Sequence, residues 1–187
     1  MMRRSGSESP SLAGQLLISH PNLRDSNFRK TVLFISAHDR QQGAHGLVLN
    51  RPTNKNLVDF LPERDLEGLG EIPVYLGGPV GPQELTLVSF DWTAGEAKIT
   101  FHTQLSLDQV KSEAGDGFKR VRAFVGYAGW VGGQLENELQ QSAWIVHPAT
   151  ESIFDGVPND ETWLSLMKSL GPAYHLLAIA PDDPSLN

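Results

Sequence analysis

With 187 residues, 40% hydrophobic and 20% charged, the chain has room for one domain with a sizeable core, and its composition excludes the disordered, collagen-like and coiled-coil classes. The absence of cysteine excludes disulfides, thiolate metal sites and cysteine nucleophiles. A net charge of −7 opposes contact with a phosphate backbone unless positive charge gathers on one face, and the densest basic group, Lys119, Arg120 and Arg122, reads as a solvated strand edge.

Residues 1–11 (MMRRSGSESPS) carry two arginines but no long apolar run behind them. They read as a disordered tail ahead of a single domain over 12–187, not as a signal peptide. No apolar run approaches the ~20 residues that span a bilayer. The expected compartment is the cytoplasm.

In chain order, Leu12–Ser19 is short and apolar and predicts a buried strand. Lys30–Ala37 (KTVLFISA) is rich in β-branched residues and predicts a second, and Gly46–Asn50 a third, joined to it as a hairpin. Pro52 is expected to stop that strand, because it cannot donate to a ladder. Leu57, Phe60 and Leu61 fall at helical spacing behind a capping Asn56. Ile72–Gly78 predicts a strand. Leu85–Phe90 and Lys98–Phe101 predict a pair around a loop at Thr93–Gly95. Ser106 caps a helix to about Ala114, where GDG ends it. Arg120–Val125 predicts a strand, then a glycine turn and a helix over Gly133–Gln141. Trp144–His147 predicts a strand, and Ile153–Phe154 a short strand or turn. A helix capped at Asn159 or Asp160 runs to Leu170 and is closed by Gly171-Pro172, with Leu176–Ala180 a last apolar segment. Strands dominate, and helices enter without βαβ alternation. The fold class is therefore α+β with a mixed or antiparallel sheet.

The stretch GYAGWVGGQLENELQQSAW, Gly126 to Trp144, poses the main functional question. Glycines before a helix offer free N–H groups to an anion. The spacing is GxxGxxG, not GxGxxG, and no P-loop lysine follows. Glu136 and Glu138 sit early in the helix and disfavour an added phosphate. A structural corner is the better-supported alternative. Gly129, Trp130, Gly132, Gly133 and Gln134 stay as candidate ligand contacts, and Trp130 and Trp144 read first as core anchors.

GYAGW, then GQLENEL, then a tryptophan resembles the AlgH/YqgE family of bacterial proteins. GQLLISHPNLRDSNFRKTVLFI, HDRQQGAHGLVLNRPT and VYLGGPV resemble further blocks of that family, in the same order. Val131 departs from the resemblance, standing where a glycine is common, and its Cβ limits positive φ. The resemblance implies an α+β fold with a branched, partly barrel-like sheet ringed by helices. Some members carry a transcriptional-regulator label. The resemblance brings no catalytic residues to carry over and implies no cofactor.

Two further places carry polar groups beside glycines. Asn50-Arg51 ends one strand and Gly77-Gly78 another. Together they are candidates for an anion or carboxylate pocket, against the plainer reading of a turn and a solvated charge. If the segments at Gly14, Asn50, Gly77 and Gly126 meet, they do so at one end of the sheet. His38 and His45 flank a hairpin and read as solvated loop histidines, not a metal site. No GxSxG occurs, and Ser19-His20 are adjacent, so their side chains fall on opposite faces of a strand. The expectation is a non-catalytic binding or adaptor domain with a protein partner. The alternatives are indirect transcriptional regulation, without direct nucleic-acid contact, and a sensor or enzyme for a small anionic ligand.

Overall fold

In the computed structural model, residues 10–92, 99–113, 120–156 and 158–180 are described. The loop at Thr93–Gly95, the GDG helix stop, Lys119 and nearly all of the tail lie outside them. The strands are β1 (Gln15–Ser19), β2 (Val32–Asp39), β3 (Gly43–Val48), β4 (Pro52–Asn56), β5 (Pro73–Leu76), β6 (Val80–Trp92), β7 (Ile99–His102), β8 (Val121–Trp130) and β9 (Trp144–Pro148). The helices are α1 (Leu57–Phe60), α2 (Leu107–Glu113), α3 (Gln134–Gln140), α4 (Glu151–Asp155), α5 (Asp160–Ser169) and α6 (Pro172–Ile179).

The strands form one mixed sheet in the order β4-β5-β8-β3-β2-β1-β9, with β6 pairing β8 and β7 off that path. The end strands β4 and β9 do not pair with each other, so the sheet stays open. Only β5 and β8 run parallel among the described pairs. Both faces are covered. Leu16, Ile18, Val32 and Phe34 point into a core with Trp163 and Met167 of α5. Leu17, Leu33 and Ile35 point the other way, into a core with Trp130, Trp144 and Leu135 of α3. A strand buried on both faces reads as an unbroken apolar run, which is why LLIS and TVLFI show no alternation.

Strand β8 organises the branching. Its first half, Val121–Val125, lies between β5 and β6, and its last three residues, Ala128–Trp130, pair with Gly46–Ala44 of β3. Gly77 enters where β3 and β8 diverge. Its N–H donates to the Val125 carbonyl at 2.8 Å, and its carbonyl accepts from the Val48 N–H at 2.9 Å. The chain then passes over Tyr127 to the opposite edge of β8, where Val80 pairs with Tyr127.

The third strand does end before Pro52, at Val48, and Pro52 begins β4 at the first position of an edge strand, where a missing donor is tolerated. Three expectations are corrected. The segment after Val125 is not a turn: β8 continues through GYAGW to Trp130, because β3 supplies ladder partners. Ile153 and Phe154 belong to helix α4, not to a strand. Arg122 is not a solvated charge. It is 2% exposed, donates to the carbonyls of Phe154 at 2.9 Å and Gly156 at 2.7 Å, and lies over the Tyr75 and Phe154 rings. Arg120 pairs with Glu151 at 2.6 Å, so the two arginines fasten α4 to β8.

Candidate functional site

The candidate residues fall into two groups on β8, one at Gly126 and one at Trp130–Gln134. Four residue steps along the strand, from Gly126 to Trp130, separate them, about 13 Å at 3.3 Å each.

At the first group, Gly77, Gly78, Asn50 and Arg51 come together, as the Arg51 carbonyl accepts from the Leu76 N–H at 2.9 Å. Gly14 does not join them, since its N–H bonds the Ile35 carbonyl and Phe101 is its neighbour. The glycines are packed shut. A Cβ on Gly77 would lie 2.3 Å from the Gly126 oxygen, and one on Gly78 2.2 Å from the Tyr127 carbonyl. Gly126 adopts φ +69°, which turns β8 under the crossing. Asn50 is 1% exposed. Its Oδ1 accepts from the Val32 N–H at 2.8 Å and its Nδ2 donates to the Lys30 carbonyl at 2.9 Å. Arg51 donates to Thr31 Oγ1 at 3.0 Å and the Arg29 carbonyl at 3.3 Å. Burial lowers the Arg51 pKa, while the carboxylates of Asp160 and Asp25 act in the opposite direction. Those two charges work against a second anion at Arg51.

At the second group the question of a phosphate cradle has a geometric answer. The Gly133 N–H donates to the Arg40 carbonyl, the Gln134 N–H to the Val131 carbonyl, and the Val131 N–H to Gln134 Oε1. These three donors therefore face the chain's own acceptors. Gly132 is pressed against the Gln41 carbonyl and Gly43 against that of Trp130, where a Cβ would lie 2.0 Å from either oxygen. Gly129 pairs with His45 inside the β3–β8 ladder. Below the corner, Glu138 Oε2 accepts the indole N–H of Trp130 and that of Trp144, each at 2.8 Å, and Oε1 accepts from Gln134 Nε2 at 3.0 Å. Phe28 stacks on Trp130 and meets Trp144 edge-on. Both tryptophans are core anchors, as expected.

His38 and His45 are not solvated loop residues, and they do not share a face. His38 pairs with Ala44, and His45 with Ala37. The His38 side chain is 5% exposed. Its Nδ1 accepts from the Leu12 N–H at 3.1 Å, so Nε2 bears the proton and donates to Glu136 at 2.9 Å. Asp39 holds the hairpin loop between the two histidines. The N–H groups of Gln42 and Gln41 donate to its carboxylate and lower its pKa.

His45 belongs to a constellation that spacing along the chain did not reveal. Between Ile35, opposite Gly46, and Ala37, opposite His45, Ser36 is one residue too many. This β-bulge turns the Ser36 hydroxyl onto the imidazole, with Oγ 2.6 Å from His45 Nδ1 and 3.2 Å from the His45 carbonyl. The imidazole stacks on Tyr127 at 4.6 Å. Burial lowers its pKa and the charge of Glu84 partly offsets this. His45 and Ala37, with Gln42 and Trp130, line an open groove of about 360 Å³. No group of three or more metal-ligating side chains occurs among the described residues, and no helix among them is long and apolar enough to cross a membrane.

An open, branched sheet covered on both faces, with a chain crossing and a corner closed by glycine, defines an α+β class shared with solved structures. The solution structure of the AlgH protein from Pseudomonas aeruginosa matches with a TM-score of 0.66 at 29% identity, over 97% of this chain and all of that one. A crystal structure of a protein from Corynebacterium diphtheriae matches in fold, with a TM-score of 0.70 at 21% identity, over 96% of this chain and 95% of that one. A UPF0301 protein of Hahella chejuensis is 36% identical over 173 residues, 89% of this chain and 93% of the relative. Another from Thermobifida fusca is 34% identical over 192 residues, 95% and 96% of the two chains. A family model described as AlgH-like matches residues 16–175. The chain belongs to the AlgH-like family, as the resemblance in its glycine and tryptophan blocks implied.

Proposed function

We propose that this chain is a non-catalytic binding domain of the cytoplasm that works by docking a protein partner. The observation that carries the reading is helix α6. Its sequence, PAYHLLAI, has no aspartate, glutamate, lysine or arginine, and a helix apolar on all sides is ordinarily buried. Here Leu176 is 65% exposed, Ile179 55% and Leu177 45%, with Leu164 of α5 also exposed. Clustered apolar surface of this kind marks interaction sites. The engagement of Asn50, Glu138 and the N–H groups of Val131, Gly133 and Gln134 in holding the fold together supports the same reading. Transcriptional regulation through such a partner is compatible with it, whereas the net charge of −7 disfavours direct DNA contact.

The test compares proteins retained by the wild type with those retained by Leu176→Asp and Ile179→Asp, followed by calorimetric titration of the purified partner. Both substitutions lie on exposed positions and are expected to leave the melting temperature within about 2 °C, since surface changes fall within about ±0.5 kcal/mol. A partner that binds the wild type and loses at least about tenfold in affinity to both variants supports the reading. Undiminished binding by the variants sinks it.

A further inference from the structure

The pairing of Ser36 with His45 joins β2 to β3 at a bulge, away from α6. A regular β2–β3 ladder would point the side chain after Ile35 to the opposite face. The bulge instead sets two residues, Ser36 and Ala37, against the single His45, and bulges of this kind re-aim side chains. The result is a hydroxyl 2.6 Å from an imidazole nitrogen, within the reach expected of a nucleophile and its base. His45 is held from the other side by the Tyr127 ring, which fixes the imidazole plane. Glu84 is the charged group whose field acts on it, and it favours an imidazolium over a neutral ring. Ser36 and His45 are each half-buried, so neither is sealed in the core, and His45 borders an open groove beside Ala37.

We propose that Ser36 is an acyl-accepting nucleophile activated by His45, and that it takes an acyl group from an activated ester or thioester. In the step, Ser36 Oγ bonds to the carbonyl carbon of the donor and its proton passes to His45 Nδ1. The bond from that carbon to the leaving oxygen or sulfur breaks, and the leaving group takes the proton from the imidazolium. The products are acyl-Ser36 and the free alcohol or thiol, with no oxidant or reductant involved. The step is a covalent modification of this chain and is independent of what α6 docks.

The same distances allow a purely structural pairing, in which Nδ1–H donates to Ser36 Oγ and the hydroxyl donates to the His45 carbonyl at 3.2 Å. The two differ in reactivity. The experiment treats the full chain with an aryl-free alkyl fluorophosphonate, in which Ser36 Oγ replaces fluoride on phosphorus, and maps the adduct by peptide mass spectrometry. The expected result is an adduct at Ser36 that reaches about one per chain, is absent from Ser36→Ala, and forms about 100-fold more slowly in His45→Gln, the size of a general-base contribution. If His45→Gln does not fold, the wild-type labelling rate against pH replaces it. It should fall as the imidazole becomes protonated, with Glu84 and Tyr127 the other titratable groups facing that ring. No adduct at Ser36, equal labelling of wild type and His45→Gln, or a rate indifferent to imidazole protonation overturns the proposal.

Discussion

Gly77 and Gly126 meet backbone to backbone, close enough that a Cβ on the first would lie 2.3 Å from the carbonyl oxygen of the second. The contact is what lets β5 leave one edge of β8 and reappear as β6 on the other. Gly77 has no positive φ, so the demand at this position is purely steric. Gly77→Ala should therefore lower stability by about 1–3 kcal/mol, the usual cost of overpacking. Denaturant unfolding reads this directly. An unchanged midpoint would mean that the crossing is looser than its geometry.

Glu138 holds two indoles with one carboxylate oxygen. Removing it in Glu138→Ala leaves two largely buried N–H donors without that acceptor, at about 1–3 kcal/mol each where water does not replace it. Near-UV circular dichroism should lose tryptophan signal alongside the drop in stability. A stable variant with an unchanged spectrum would show that the corner is held by Phe28 and the core alone.

Asn50 and Arg51 are neighbours with different burdens. Asn50→Leu strands the Val32 N–H and the Lys30 carbonyl, both bonded by the amide, and should cost about 2 kcal/mol or more. Arg51→Ala removes a half-buried cation held by one hydroxyl and one carbonyl, and should cost about 1 kcal/mol. Thermal-shift screening of both against carboxylates and phosphosugars separates structure from binding. An anion that stabilises the wild type but not Arg51→Ala would establish a site there despite Asp25 and Asp160.

His45 has its pKa depressed in the fold by burial, so the unfolded chain takes up a proton more readily. Its contribution to stability is thus present above the ordinary imidazole value of 6.5 and is lost as pH falls through the lower folded value. Melting temperature should decline between about pH 7 and pH 5. His45→Gln should flatten that part of the curve. A wild-type curve no steeper than that of the variant would contradict the burial of the ring.

Much of the fold was legible because it was written locally. The apolar runs at Leu16–Ile18 and Val32–Ile35, the helix start at Asn159 and the helix after Gly133 each depend on residues a few positions apart. Periodicity and capping report such elements directly. The ordered blocks of glycine, proline and tryptophan were enough to place the chain in its family. Local pattern failed where a distant partner decided the outcome. GYAGW looks like a turn because glycine is common in turns, yet β3, some 80 residues earlier, completes its ladder, so it is strand. Arg122 looks like a solvated charge, yet the carbonyls at the end of α4 and the Tyr75 and Phe154 rings enclose it. Ser36 meets His45 only because the ladder carries one extra residue, a feature of strand pairing and not of either strand. Composition, local propensity and short spacings settled the class, the elements and the family of this protein. Long-range hydrogen bonding and close packing alone decided which glycines close a crossing, which charges are buried and which hydroxyl faces a base.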